Sequence, residues 1–470
     1  MQYFPISEED LQRLINQGIS LGADYIDIYL EHTSSTNVSM MPEGENRAAQ
    51  NIDYGAGIRF ICGEKTGYAF AEQITVESLS TAIKQASRIK QSTSDTLQLP
   101  SFLQTDLLLP KDLYINRNNA FQPDGPQIEK LVCYLKDLRE ELMASDARIV
   151  NVSGSIRHQL KRIAIANSVG PTFEEECPMT CLSINAVIKN EGVTESANVS
   201  RSYRRPLSML SDALQQEIIA QVLKKLHFAL EATQTKGGEM PVVMGAGASG
   251  ILLHEAIGHA FEADFIRRGE SIFTDSLGKQ ICDSSINVFD DGLLPEMRGS
   301  IHFDDEGVPA QKTQIVTDGH LTSFLHDRIS ARHFGIEPTG NGRRSNFRSM
   351  PLPRMRNTYM SGGSCTEEQI IADVKHGIYV TEFTNGEVQI GAGDYSFFVK
   401  AGYLIENGHL TQPVKDVNII GNGPQTLADI KAVANNPIVD PSTWTCGKEG
   451  QSCPVSCGMP SVLVSKLTVG

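Results

Sequence analysis

The chain is short of positive charge. Its 41 Lys and Arg face 56 Asp and Glu over 470 residues, a formal net charge of -15. Non-specific nucleic-acid binding needs clustered cations that displace counterions from phosphate, so this balance excludes that class of function. Long apolar runs are missing too. The longest uncharged, apolar-leaning stretch, 240–253, falls well below the roughly 20 residues that span a bilayer. The opening "MQYFPISEEDLQRL" has no basic segment followed by an apolar one, so no secretion signal is expected and the protein reads as cytoplasmic. There is no internal repeat or low-complexity tract. Nine cysteines, odd in number and scattered, suit a reducing compartment, with thiols free for packing or metal binding and no disulfides expected.

What is present is an ordinary globular composition, 40% hydrophobic and 21% charged, in a chain long enough for two to four domains. Ser7 and Asp10 suggest a capping box for a helix over 8–20, and "DYIDIYLEHT" alternates like a half-buried strand. Two strands around the turn 63–67 and an amphipathic helix follow. Residues 93–125, rich in Pro, Asp and Asn, read as an irregular connector. A helix at 126–146, strands, and a long helix at 211–234 come next. From about 236 the signal changes to short strands. Asp318-Gly319, Asn385-Gly386 and Asn407-Gly408 each sit between alternating apolar residues, the strongest short-range hairpin signal. The expected fold is α+β. An N-terminal α+β domain spans 1–235, in blocks 1–92 and 126–235 joined by the connector, and a mostly antiparallel β domain with one helix, Ser249 to about Asp264, spans 236–470.

The stretch "GEMPVVMGAGASGILLHEAIGHAFEAD" carries two competing motifs. Gly245, Gly247 and Gly250 spell the Gly-x-Gly-x-x-Gly of a dinucleotide-binding turn, and they lie between a good strand and a good helix. That fold also needs a returning parallel strand with an acidic residue about 20 positions on, and here the helix runs into the polar loop "RRGESIFTDSLG". The better account is that small residues let the helix start close to a sheet. The second motif is His254, Glu255 and His259. In the familiar zinc-binding helix the histidines are four apart, about 40° around the axis; here they are five apart, which on a regular helix is about 140° and would splay them. A π-bulge restores alignment, and Gly258 allows a break, so a distorted helix is predicted between Glu255 and Ala260. The alternative is two histidines and a glutamate on an amphipathic helix with no metal. A third ligand would come from Glu262 or Asp264 nearby, or from the thiols of Cys446, Cys453 and Cys457.

These residues, with "GAGIRFICGEKTGYAFAE", "HEAIGHAFEAD", "DDEGVPAQ", "PTGNGRRSNFRSMPLPRMRNTYM", "YLIENGHLTQPVKDVNIIGNG" and "CGKEGQSCPVSCGMPSVLVSKLTVG", make the chain resemble the TldD/PmbA metallopeptidases, formerly described as modulators of DNA gyrase, over nearly its whole length. The His-Glu-x-x-x-His motif puts it on the TldD side, since PmbA-like members lack it. The resemblance implies one zinc ion per chain held by His254, His259 and Cys446, with Glu255 as general base. The residue types fit: imidazoles and a thiolate suit zinc. Cys453 and Cys457 depart from the family pattern and are read as packing residues, as are Cys177 and Cys181.

Five arginines, 343, 344, 348, 354 and 356, fall within 14 residues. They read either as a solvated surface run or as a carboxylate clamp on substrate, with Arg343 and Arg344 the foremost candidates. Asp304, Asp305 and Glu306 read as a turn before Gly307, and His302, His320, His326 and His333 as ordinary histidines. The first functional hypothesis is a zinc peptidase cutting unfolded or flexible polypeptides bound as an added β-strand. The resemblance implies a homodimer or a heterodimer with a PmbA-like subunit. The alternatives are a non-hydrolytic regulatory or partner subunit and, least favoured, a nucleotide-dependent enzyme at Gly245–Gly250.

Overall fold

A computed structural model of the chain describes residues 1–89, 113–114, 128–247, 249–389 and 391–470. Apart from Leu113 and Tyr114, the connector expected over 93–125 lies outside the described residues. Helix α1 (Glu8–Ser20) starts where the capping motif put it, with the Ser7 side chain accepting from the Asp10 N–H. Strands β1 (Tyr25–Met40), β2 (Asn46–Cys62) and β3 (Lys65–Ala71) and helix α2 (Val76–Ala86) complete the first block. Helix α3 (Ile128–Ser145), strands β4 (Ile149–Asn167), β5 (Phe173–Asn190) and β6 (Val193–Tyr203) and helix α4 (Asp212–Glu231) form the second.

The two blocks share one six-stranded antiparallel sheet in the order β3-β2-β1-β4-β5-β6. Its joint is the β1–β4 ladder, in register from Asp27↔Asn167 to Met40↔Gly154. All four helices lie on one face. Leu11, Leu14, Leu79 and Ile83 pack on Ile26, Ile28 and Leu30, while Leu135, Leu138, Ile218 and Val222 pack nearer Val38 and Met40. These β1 residues are all even-numbered, as a period of two requires for one face. The odd positions Tyr25, Asp27, Tyr29 and Glu31 are equally buried, so this part of β1 is not the half-buried strand that its alternation suggests. The second half of the chain covers the odd face. Arg59 there pairs with Asp27 at 2.5 Å and with Glu306 at 2.5 Å, and Phe347 joins Tyr29, Ile163 and Ile165.

The second half opens with β7 (Gly238–Met244). It pairs with 376–388 in parallel and with 462–469 antiparallel, and the ring closes through 417–422 and 394–406 back to 376–388. Five strands thus form a barrel without open edges. A second sheet, including 288–291, 312–317, 357–360 and 456–459, stands beside it. Asp318-Gly319 and Asn407-Gly408 turn hairpins as expected, with both residues of each pair at positive φ. Asn385-Gly386 does not. It lies inside the strand His376–Val388, whose ladder slips register between Phe383 and Gly386, so the dipeptide serves a bulge instead of a turn. The strand after the helix, Val288–Asp291, belongs to the other sheet, and no dinucleotide unit forms. The glycines are needed for space: a Cβ on Gly250 would stand 2.4 Å from the Gly458 nitrogen, and one on Gly245 2.8 Å from the Val380 oxygen.

Candidate metal centre

The segment from Gly250 to Arg268 is not one helix. One α turn (Gly250–Leu252) passes into a π turn (Leu253–Ile257), then a 3-10 turn (Gly258–Phe261), then a short α-helix (Ala263–Arg268). Its apolar side chains, including Leu252, Leu253, Ile257 and Phe261, anchor it in the barrel core with Val242, Met244 and Val380. The wider π turn brings His254 and His259 onto one side, with ring centroids 5.1 Å apart and planes nearly perpendicular. The off-helix residue is Ile257, at φ -133°, whereas Gly258 keeps helical angles of -60° and -45°. Glycine at 258 serves space and not backbone freedom: a Cβ there would lie 2.3 Å from the Met355 sulfur, which would have to shift.

Cys446 arrives from 187 residues further on, on the hairpin Thr445–Lys448 with Gln451–Pro454. Its Sγ lies 3.6 Å from His259 Nε2, and donor atoms of His254, His259 and Cys446 all fall within 4.8 Å of one another. All three residues are buried, yet both ring nitrogens of His254 lack a hydrogen-bond partner. An imidazole 1% exposed with neither nitrogen satisfied is costly unless something else binds it, and a metal ion is the ligand this donor set suits. Burial alone would push the Cys446 thiol up, but the two imidazoles outweigh it and hold it at about 5, as a thiolate ready for a cation.

His259 is held from behind. Its Nδ1 donates to Glu262 Oε2 at 2.9 Å, which leaves Nε2 for the cluster. Burial opposes a charge on His259, yet the Glu262 carboxylate and the Cys446 sulfur raise it well above the usual imidazole range. Glu262 is fully buried, and burial should raise it; Lys448 at 3.0 Å and His259 outweigh that and hold it at about 2. Lys448 also reaches Asp264 at 2.7 Å and the Pro353 carbonyl at 3.0 Å. Glu262 and Asp264, weighed above as third ligands, are therefore supports outside the cluster. Lys448 was missed from the sequence, although it stands two residues from Cys446 and so shares its face of the strand.

Glu255 is half-buried, its Oε2 3.8 Å from His259 Nε2. It lines a cavity of about 270 Å³ with His254, Phe383, Phe397, Trp444 and Val455. Cys453 and Cys457 are buried outside the cluster, and burial raises both thiols. His302 donates to Glu175 at 2.7 Å, His326 sits 3.3 Å from the Ser330 hydroxyl, and none of His302, His320, His326 and His333 lies in the cluster.

Apart from Arg348, which is exposed and pairs with Asp53 and Glu72, the arginine run is neither a solvated face nor part of this cavity. Arg343, Arg344, Arg354 and Arg356 are all buried. Arg343 donates to the carbonyls of Met355 at 2.6 Å and Pro454 at 2.8 Å, and Arg344 to the Asp305 carbonyl at 2.8 Å and to Asp27 at 3.4 Å. The run passes between the two halves of the chain; Arg354 reaches the Cys446 carbonyl at 2.6 Å, whereas all three guanidinium nitrogens of the buried Arg356 have no hydrogen-bond partner among the described residues. Asp304 caps the turn before Gly307, accepting from the N–H groups of Glu306 and Val308.

Family models fit this architecture from end to end: the PmbA/TldA metallopeptidase domain 1 matches residues 26–90, the central domain 121–226 and the C-terminal domain 237–470. The chain belongs to the PmbA/TldD metallopeptidase family. Among its relatives, a Metalloprotease TldD homolog of Haemophilus influenzae is 34% identical, over 95% of this chain and 93% of the relative. A Metalloprotease TldD homolog of Buchnera aphidicola is 31% identical, over 99% and 96%. Two solved structures share the fold. A putative modulator of DNA gyrase from Thermotoga maritima has a TM-score of 0.78 at 22% identity, covering 98% of this chain and all of that one, and TldE from Thermococcus kodakarensis has 0.76 at 19%, with the same coverage. The names within the family indicate a metalloprotease, and the His-His-Cys cluster is the candidate metal site. No helix among the described residues is long and apolar enough to cross a membrane.

Proposed function

We propose that the chain is a zinc-dependent peptidase that hydrolyses unfolded or flexible polypeptides, with His254, His259 and Cys446 as ligands and Glu255 as general base. The observation that carries this is the convergence of two histidines five apart and a distant cysteine, with unpartnered imidazole nitrogens, beside a carboxylate that opens onto a cavity. Zinc, when bound, supplies a Lewis acid that polarises the scissile carbonyl and makes water acidic enough to attack near neutral pH. The chain's own groups do the rest. Glu262 keeps the His259 proton on Nδ1 and fixes the ring. Glu255 takes the proton of the attacking water and returns it to the leaving amine, so no covalent acyl-enzyme is needed. Phe383, Phe397 and Trp444 shield the site and offer apolar contact to a substrate side chain.

An extended substrate is favoured because the strand His376–Val388 borders the cavity through Phe383, Thr384 and Gly386. A peptide pairing with backbone there would be gripped with little regard for sequence. The functional halves are 1–235 and 236–470, and the active form is a homodimer or a heterodimer with a PmbA-like subunit. A cytoplasmic setting agrees with nine free cysteines. The test is metal content per chain by elemental analysis, wild type beside Cys446→Ser, followed by peptide cleavage with Glu255→Gln. About one zinc in the wild type, little in the cysteine variant, and a metal-loaded but inert Glu255→Gln are expected. A wild type that holds no zinc after metal-replete purification would turn the assignment to a non-hydrolytic partner subunit.

A further inference from the structure

A second cavity, of about 300 Å³, opens between the six-stranded sheet and the second half of the chain. It is strongly cationic in an acidic protein. Arg157, Lys161, Arg204, Arg298, Arg343 and Arg344 line it, against Glu31, Asp53 and Asp305. The three carboxylates are already engaged: Glu31 accepts the Phe347 N–H at 2.8 Å, Asp53 pairs with Arg348 at 3.0 Å, and Asp305 accepts the Arg344 N–H at 2.8 Å. Lys161 pairs with Glu31 and Arg344 with Asp27, which leaves four of the six cations without a carboxylate partner.

Arg157, Arg204, Arg298 and Arg343 form no ion pair among the described residues, although Arg204 and Arg298 are each only 5% exposed and Arg343 3%; both Nη atoms of Arg343 are taken by the Met355 and Pro454 carbonyls. Arg204 donates through Nε to the Arg298 carbonyl at 3.1 Å. Arg298 donates to the Trp444 carbonyl at 3.1 Å, to the Ser202 hydroxyl at 2.5 Å and to Thr445 Oγ1 at 3.3 Å, all neutral acceptors. Arg157 stands on β4 opposite Cys181 of β5, and the Cys181 sulfur lies 3.2 Å from Arg298, so the guanidiniums gather on one wall. Burial pushes the Arg298 pKa down, the Cys181 sulfur opposes this, and the charges of Arg204 and Arg157 act with burial. Buried like charges with no counter-ion are costly, and an anion in the cavity removes that cost.

Thr445, next to Cys446, lines both this cavity and the one over Glu255. A chain leaving the first cavity past Thr445 enters the second. We propose that the Arg157–Arg204–Arg298 cavity is a subsite for a carboxylate of the peptide substrate, either its C-terminal carboxylate or an acidic side chain close to the scissile bond. This rests on the peptidase reading above. It assigns the anion preference anticipated for Arg343 and Arg344 to three other arginines, since the Nη atoms of Arg343 are held by two carbonyls and Arg344 is paired with Asp27.

The test uses zinc-loaded full-length protein carrying Glu255→Gln, so that peptides bind without being cut. Three peptides of one sequence are compared by fluorescence anisotropy: free C-terminal acid, C-terminal amide, and amide with one internal Asn replaced by Asp. At least tenfold tighter binding of the acid, or of the Asp peptide, than of the plain amide is expected, and the two arms say which carboxylate is read. Arg157→Ala, at an exposed position where folding is safe, and Arg298→Gln should each shrink that preference to below about threefold while the amide binds as before. In parallel, millimolar inorganic phosphate should raise the Tm of the wild type and not of the variants. Equal binding of all three peptides with no phosphate response overturns the site. Equal binding with a phosphate response overturns its assignment to substrate and leaves a free-anion site. A phosphate response with no peptide binding supports the anion site and shows that the peptidase reading is what failed.

Discussion

The two strands of the hairpin 445–454 carry cysteines directly opposite each other, Cys446 and Cys453, and each is 1% exposed. Their chemistry is opposite. Cys446 faces His254 and His259 and sits at about 5, while burial raises Cys453 even though Arg343 and Arg354 oppose it. Equal burial with unequal ionisation shows that neighbouring charge and hydrogen bonding decide which thiol is held as a thiolate, and burial does not. One strand carries the candidate chemistry, and the other packs behind it.

The largest break in that contrast is Cys446→Ser. Zinc per chain should fall from about one to a small fraction, and peptide cleavage by more than about a hundredfold, measured by elemental analysis and kcat/KM. Next is Glu255→Gln, which should keep the metal and lose about 10²–10⁴ in kcat, separating proton transfer from metal binding. Glu262→Gln acts through His259. Zinc affinity, read by chelator competition, should weaken by about 10–100-fold, and a variant with unchanged affinity would remove Glu262 from its supporting role.

A pH series sharpens the comparison with buried carboxylates elsewhere. Glu262 is held near 2, below its ordinary 4.5, so its contribution to stability is present above pH 4.5 and is lost as pH falls from there through about 2. Asp327 is raised to about 6 by burial and by the Glu306 charge, so the folded state favours its protonated form; its contribution is present below its ordinary 3.8 and is lost as pH rises through about 6. Between pH 4 and 6.5, Asp327→Asn should therefore flatten the wild-type decline in Tm. Asn keeps the cap on helix Arg328–Phe334, whose Ser330 N–H the Asp327 side chain accepts. The smallest effect expected is from Cys453→Ala: a loss of about 1 kcal/mol in stability by denaturant titration, with zinc content unchanged. Loss of zinc there would mean that the second thiol is a ligand after all.

Much of this was legible in the residues, and unevenly. The capped helix at Glu8, the hairpin turns at Asp318-Gly319 and Asn407-Gly408 and the distortion near His259 follow from local rules: a side chain reaching its own backbone, positive φ, and the angle between residues five apart. Asn385-Gly386 misled because a bulge and a turn use the same dipeptide chemistry, and only the strands on either side tell them apart. The arginine run misled because charge in sequence suggests solvent, whereas here a second set of elements closes over four of its five members.

Sequence alone determined the α+β class, the family, and the candidates His254, Glu255 and His259, because residue type and short spacing carry that information, while Cys446 was singled out from several candidate ligands by the family resemblance. Tertiary structure decided the rest. Which face of β1 meets the second half, that Glu262 and Lys448 stand behind His259, and that four arginines without a carboxylate partner share one cavity all depend on contacts between distant segments. No local rule encodes such contacts, since the free energy of a charge is set by what surrounds it after folding and not by its neighbours along the chain.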